Sequence, residues 1–169
     1  MILFYSGTPG SGKSLHTAEV LYWWIKAGKP AIGNININLD MIGTYMGKFI
    51  ACASAEEKLA HYISYMAAET GFPVAAETGV YSSDSTPFAD KGIPAVSFAR
   101  LAGGTVAPIH CRYDVKEVMS MEQLQKDIEF LILLTDRLTT AAVCPVKREI
   151  PEDVKKQLDE YLFRKRKEA

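Results

Sequence analysis

The stretch "YSSDSTPFADKGIPAVSFAR", residues 81–100, decides which kind of fold this chain can adopt. Its first part is rich in Ser, Asp, Pro and Gly, which favour turns, so it predicts a loop with "PFAD" (87–90) as a short helical turn. Its last part, "AVSFAR" (95–100), is a short apolar run that predicts a buried strand. The whole stretch therefore indicates a loop that leads directly into the interior of a sheet.

Helical patterns lie on both sides of this strand. The first, at 55–70, has Ser54 and Glu57 at the spacing of a capping box and Gly71 as its stop signal. The second, at 121–142, follows Ser120, with Gln123 three residues later, and the third, at 151–167, begins at Pro151. The sequence predicts that each of these segments is a helix.

The N-terminal part predicts a strand, a helix and a second strand in succession. "MILFYS" (1–6) and "AIGNININLDMIG" (31–43) are the apolar runs, and the segment 15–27 between them has helical spacing. Such a succession forms a right-handed βαβ unit. Together with the strand at 95–100, this predicts an α/β domain of three layers with a mostly parallel sheet of few strands.

Composition excludes several classes of partner. The chain has 169 residues with 19 basic and 20 acidic side chains, a formal net charge of −1, which gives no electrostatic case for binding nucleic acid. The longest apolar runs are far below the roughly 20 residues of a membrane helix, so we expect no membrane partner. Three widely spaced cysteines indicate no disulfide framework, and we expect a cytoplasmic location.

The segment "GTPGSGKS", residues 7–14, matches the phosphate-binding loop pattern G-x-x-x-x-G-K-[ST] in full. The backbone N–H groups of such a loop point at phosphate oxygens, Lys13 adds a cation, and the Ser14 hydroxyl can hold Mg²⁺. Asp40, at the end of "ININLD", is the better candidate for the acidic Mg²⁺ partner, because Asp136 lies within a helical pattern. The residues expected to hold Mg-ATP are Gly7, Gly10, Ser11, Gly12, Lys13 and Ser14.

Residues 1–35 resemble the N-terminus of the zonular occludens toxin (Zot) family, ATPases of filamentous phage assembly. The resemblance rests on "GTPGSGKSLH" (7–16) and "WWIKAGKPAIGN" (23–34). It covers about a fifth of the chain and implies a nucleotide-binding module. The later NTPase residues and the membrane segment of that family have no counterpart here.

Residues 36–169 resemble the C-terminal half of the co-catalytic two-zinc aminopeptidases, a metallopeptidase family that includes glutamate carboxypeptidase. The matching residues are "NLDMIG" (38–43), "SDSTPFADKGIPA" (83–95) and "HCRYD" (110–114). The resemblance implies a truncated zinc-peptidase fold of the phosphorylase/hydrolase-like type, with Asp40 and His110 as zinc ligands. Asp114 would orient the His110 imidazole, and Asp84 would organise its loop or support a ligand.

The same resemblance implies that the catalytic set is incomplete. The family has an upstream His, a bridging Asp and a Glu-Glu pair that supplies the general base, and none of these has a counterpart among these residues. "TPGSGK" (8–13) stands where the Glu-Glu pair would be, and Glu56 with Glu57 belongs to a predicted helix start. We therefore expect an incomplete aminopeptidase-like domain that binds at most one metal ion, weakly, and that need not be catalytically active on peptides.

Two other hypotheses stay open. In one, the chain is a nucleotide-binding module that uses Lys13, Ser14 and Asp40, and in the other it is a fusion product whose motifs have no function. A join near 34–39 is expected to leave one compact unit. Missing strands would leave an unpaired sheet edge and exposed apolar surface, so we also expect marginal stability or a homo-oligomer.

Overall fold

The computed structural model describes residues 35–102 and 112–164, which all fall within one compact unit. Several predictions therefore lie outside the described residues. They are the strand at 1–6, the helix at 15–27, the phosphate-binding loop with Gly7, Gly10, Ser11, Gly12, Lys13 and Ser14, and the proposed zinc ligand His110.

The described residues form one four-stranded sheet in the order β1-β4-β2-β3. Its strands are β1 (Asn36–Leu39), β2 (Lys48–Ser54), β3 (Ala75–Thr78) and β4 (Ala95–Leu101). β1 pairs parallel with β4, and β2 pairs parallel with β3, whereas β2 and β4 are antiparallel. The prediction of a mixed α/β domain with a mostly parallel sheet is confirmed.

Two of these strands were not predicted. β1 and β4 correspond to the apolar runs at 31–43 and 95–100, whereas β2 and β3 lie in segments for which no strand was predicted. β3 is only four residues long, and its sequence "AAET" has low intrinsic strand preference. It forms because β2 provides a partner, with Ala51 opposite Ala76 and Cys52 opposite Glu77.

The predicted helices are present, and the two that were expected at 121–142 and 151–167 end earlier than predicted. They are α1 (Glu57–Thr70), α2 (Thr86–Asp90), α3 (Met121–Thr140) and α4 (Glu152–Tyr161), and a 3₁₀ turn covers Lys116–Val118. Gly71 ends α1 in the left-handed conformation, and the Ser120 hydroxyl accepts the N–H of Gln123, so both of these predicted caps are confirmed.

The last helix was expected to continue to residue 167, but it ends at Tyr161. Phe163 has a positive φ of 56°, and the N–H groups of Phe163 and Arg164 turn back to the carbonyls of Glu160 and Asp159. These are the two hydrogen bonds of a Schellman motif, which closes a helix. The Arg164 guanidinium then donates to both carboxylate oxygens of Asp90, at 2.5 and 2.9 Å.

The predicted capping box at Ser54 and Glu57 is wrong. Ser54 is the last residue of β2, and its hydroxyl donates to the carbonyl oxygen of Gly79 at 2.7 Å. α1 begins two residues later than expected, after Glu56, and has no side-chain cap. The hydroxyl cannot reach the helix because it is committed to the end of the neighbouring strand β3.

Alternating residues of β4 point into two different cores, which gives the three layers. Val96 and Phe98 pack with the apolar faces of α1 and α3 in the larger cluster. Ala95 packs with Val154 and Leu158 of α4 in the smaller cluster on the other face. Each fully buried Leu or Phe side chain contributes about 1.5–3 kcal/mol. None of the helices in the described residues is long and apolar enough to span a membrane.

Candidate functional site

Asp40 lies directly after β1, at the carboxyl end of that strand. Its N–H donates to the carbonyl oxygen of Phe98 in β4 at 2.8 Å, and the residue is half-buried. Because β1 and β4 run parallel, β4 ends at the same edge of the sheet, and the chain leaves Leu101 toward the segment that contains His110. This edge is the place where α/β folds bind ligands.

Hydroxyl groups hold the loop before α2 against the face of the sheet that carries Asn38 and Ser97. Asn38 Nδ2 donates to Ser97 Oγ at 3.3 Å, and Ser97 Oγ lies 2.5 Å from Ser83 Oγ and 2.8 Å from Ser85 Oγ. Asp40, two residues after Asn38, faces the same side because strand residues alternate. The site face therefore carries Asn38, Asp40 and Ser97, with the serine loop packed upon it.

Tyr81 at the start of this loop lies within electrostatic range of Asp40. Burial raises the pKa of the Tyr81 phenol, and the negative charges of Asp40 and then Cys52 raise it further. Neither Tyr81 nor Ser97 was among the predicted site residues. The alternation in "AVSFAR" is the signal that finds Ser97, since it places Ser97 on the face opposite Val96 and Phe98.

The segment that follows Asp40 is a strained turn. Met41 has φ of +53°, a conformation that costs a non-glycine residue about 1–2 kcal/mol. Gly43 and Gly47 also have positive φ, at +82° and +116°. Arg100 and Asp127 contribute three of the hydrogen bonds that hold the turn: the Arg100 N–H donates to the Met41 carbonyl, the Gly43 N–H to Asp127 Oδ2, and Arg100 Nη1 to the Gly47 carbonyl.

Arg100 of β4 and Asp127 of α3 form a buried ion pair beneath this turn. Arg100 Nε donates to Asp127 Oδ2 at 3.1 Å and Nη2 donates to Oδ1, while Gln123 Nε2 also donates to Oδ1 at 3.0 Å. Sequence reasoning missed the pair. Its signal is a charged residue on the apolar face of a helix, because Asp127 precedes Phe130, Leu131 and Leu134 at helical spacing.

The described residues supply one of the two predicted zinc ligands. No group of three or more His, Cys, Asp or Glu side chains able to hold a metal ion exists within 35–102 and 112–164. Asp84 and Asp114 are both exposed, and their expected supporting roles stay predictions. The chemistry of Asp40 with His110, a carboxylate with an imidazole, suits one zinc ion. A two-zinc centre does not fit the described part of the chain.

Comparison with known proteins gives an independent view of the fold. The model of peptidase family M28 matches residues 25–134. A similar solved structure is BSAP, a zinc aminopeptidase from Bacillus subtilis, with 25% sequence identity, a TM-score of 0.51 and coverage of 70% of this chain. The match covers 32% of the aminopeptidase, so this chain spans about a third of its length. No curated protein matches the chain.

The family match includes both "NLDMIG" and the loop-and-strand stretch at 81–100, the features that position Asp40. It leaves out residues 1–24, so the resemblance of the N-terminus to the Zot family stays a prediction. The similar solved structure supports the predicted fold of a truncated zinc aminopeptidase. With about two thirds of its residues matched, the chain belongs to peptidase family M28.

Proposed function

We propose that this chain is a zinc-aminopeptidase-like domain that binds one zinc ion through Asp40 and His110 and does not hydrolyse peptides with its own residues. The observation that carries this proposal is the position of Asp40 at the carboxyl end of β1, hydrogen-bonded to the strand after which His110 follows. Family membership and the similar Bacillus subtilis zinc aminopeptidase support the choice of metal.

The residues of the proposed zinc site have two roles: Asp40 and His110 bind the ion, and Asp114 orients a ligand. Asp40 provides a carboxylate, and the backbone of this residue is hydrogen-bonded to β4. His110 provides an imidazole. Asp114, four residues after His110, orients that imidazole by accepting its other N–H. A bound zinc ion polarises a carbonyl group and lowers the pKa of water.

Hydrolysis also requires a general base, and we propose that this chain lacks the Glu-Glu pair that supplies it in the family that it resembles. The adjacent glutamates Glu56 and Glu57 lie at the start of α1, outside the loops that surround Asp40. Glu56 Oε1 accepts the N–H of Lys147 at 2.9 Å, and Glu57 pairs with His61 on an exposed helix surface. Because "TPGSGK" occupies the expected position of the catalytic glutamates, we propose that water is not activated here.

This proposal is tested by measuring hydrolysis of a chromogenic aminoacyl anilide at increasing zinc concentrations. The zinc bound to the protein is measured in parallel. The expected result is bound zinc without turnover. Zinc-dependent hydrolysis that is lost in Asp40→Asn would show that the site is correct but the inactivity is wrong. Absence of bound zinc would overturn the proposed site itself.

A nucleotide-binding function is the second candidate, because residues 7–14 match the phosphate-loop pattern completely. In this case Lys13 and Ser14 hold Mg-ATP. Tight Mg-ATP binding that disappears in Lys13→Ala, with no response to zinc, would favour this candidate over the peptidase-like one. If neither ligand binds, the motifs have no function in this chain.

We further propose that the domain is cytoplasmic and forms a homo-oligomer, with a peptide or a nucleotide as its small partner. β1 and β3 are the edge strands of the described sheet, and unpaired edges favour association. Light scattering across a concentration series tests the oligomer, and a monodisperse monomer with a sharp cooperative melt would count against it.

A further inference from the structure

We propose that Arg100 and Asp127 are positioning residues, and that this buried pair holds the turn Met41–Gly47 so that the Asp40 carboxylate stays at the edge of the sheet. The consequence for zinc rests on the proposed function, in which Asp40 is a ligand. The claim about the turn itself does not depend on any metal.

The start of the turn is fixed by β4. The N–H of Asp40 donates to the carbonyl of Phe98 at 2.8 Å, and the N–H of Arg100 donates to the carbonyl of Met41 at 3.1 Å. Asp40 therefore lies between two backbone hydrogen bonds to the same strand. We infer that the direction of the Asp40 side chain depends on whether Met41, the next residue, keeps its left-handed conformation.

The ion pair contacts the middle and the end of the turn, beside an antiparallel bridge between Thr44 and Met119. Asp127 Oδ2 accepts the N–H of Gly43 at 2.9 Å, and Arg100 Nη1 donates to the carbonyl of Gly47 at 2.8 Å. The Thr44 hydroxyl adds a bond to the carbonyl of Arg100 at 3.3 Å. One pair of side chains thus contacts the turn at two separate points and connects it to both β4 and α3.

Energetics favour a positioning role over a stabilising one. A buried ion pair costs desolvation that its attraction barely offsets, and apolar residues of similar volume are often as stable or more so. Here the guanidinium donates through Nε, Nη1 and Nη2, and both carboxylate oxygens accept. What only this planar fork provides is a fixed geometry that connects β4, α3 and the turn.

Two variants separate geometry from charge and from stability. The double variant Arg100→Met/Asp127→Leu removes the pair and keeps the volume, whereas Arg100→Lys keeps the charge and loses the fork. Leu134→Val, buried in α3 and not a member of the Arg100–Asp127 pair, is the matched control for general loosening of the helix. Each is compared with the natural chain by backbone chemical shifts of Asp40 and Met41 without metal, and then by zinc titration.

We expect the shifts of Asp40 and Met41 to change in the double variant and in Arg100→Lys, but not in Leu134→Val. Zinc affinity should fall by about tenfold or more in the first two, as for loss of groups that orient metal ligands. Unchanged shifts and unchanged affinity in Arg100→Lys would overturn the proposal, even if the double variant fails to fold. If the two variants change these shifts while the natural chain binds no zinc, the positioning of Asp40 is supported and the proposed zinc site is refuted.

Discussion

Gly47 packs against Leu101 so closely that no other residue fits at this position. A Cβ atom added to Gly47 would lie 2.5 Å from the carbonyl carbon of Leu101, and the glycine has φ of +116°. Leu101 is the last residue of β4, opposite Lys48 at the first position of β2. The contact therefore fixes the end of the turn after Asp40 against the end of the strand that leads toward His110.

Gly47→Ala should destabilise the domain by more than about 3 kcal/mol, because the backbone strain is combined with a collision against backbone atoms that cannot move aside. Gly71→Ala is the control: it also has a positive φ, but no atom lies within 4 Å of the added Cβ, so about 1–2 kcal/mol is expected. Urea unfolding of both variants measures the difference. Equal losses would show that the close approach to Leu101 is absent in solution.

Asp127→Ala should destabilise the domain by about 3–5 kcal/mol, because it leaves the Arg100 guanidinium buried without its partner. The Gly43 N–H loses its acceptor in the same variant. Adding Arg100→Met should recover much of this loss, since no buried charge then remains. Chemical denaturation tests both steps, and a single variant as stable as the natural chain would contradict the buried pair.

Ile63→Ala in α1 should cost about 2–5 kcal/mol, since Ile63 is fully buried in the larger core against the sheet. Tyr65, two residues later on the same helix, is 64% exposed, and Tyr65→Ala should change stability by no more than about 0.5 kcal/mol. Thermal unfolding of the two variants compares the faces of α1. A similar loss of stability in both variants would contradict the burial of Ile63 and the exposure of Tyr65.

The stability of the fold should decrease between about pH 8.5 and pH 11 through Cys52. Burial and, second, the negative charge of Glu77 together raise the pKa of this thiol to about 11, whereas an unfolded cysteine has a pKa of about 8.5. The fold thus favours the neutral thiol, and this contribution is complete below the lower value and lost as pH rises through the higher one.

Denaturation at a series of pH values, compared with Cys52→Ala, checks this. The alanine variant should be less stable by a constant amount at neutral pH, and the difference should narrow at high pH. Titration of other groups cancels in the comparison. A difference that stays constant up to pH 11 would mean that Cys52 titrates as in the unfolded chain.

The sequence was sufficient for the elements that carry strong local signals. β4 follows from the apolar run at 95–100, α3 from Ser120 and its helical spacing, and the end of α1 from Gly71. β3 could not be predicted in this way, because Ala75–Thr78 becomes a strand only through pairing with β2. The capping box predicted at Ser54 was wrong for a related reason. The Ser54 hydroxyl donates to the carbonyl of Gly79, which is distant in sequence and adjacent only in the fold.

The position of Asp40 at the end of a strand could be predicted, whereas the residues around it could not. The apolar run before Asp40 and the resemblance to zinc aminopeptidases both indicated this residue, and the structure places it at the carboxyl end of β1; its role as a metal ligand stays a prediction. Tyr81 and Arg100 were missed, because their relation to Asp40 depends on how a loop and a turn fold over the sheet. A sequence pattern records spacing along the chain, whereas these contacts depend on the pairing of β1 with β4.

The most direct test of the account is a calorimetric zinc titration of the natural chain, Asp40→Ala, His110→Ala and the control Asp136→Ala, whose carboxylate is exposed on α3. The account predicts one zinc ion per chain, with affinity reduced at least about 100-fold by loss of either ligand and unchanged in the control. Binding of two zinc ions, or one ion whose affinity is the same in all four proteins, would contradict a single site formed by Asp40 and His110.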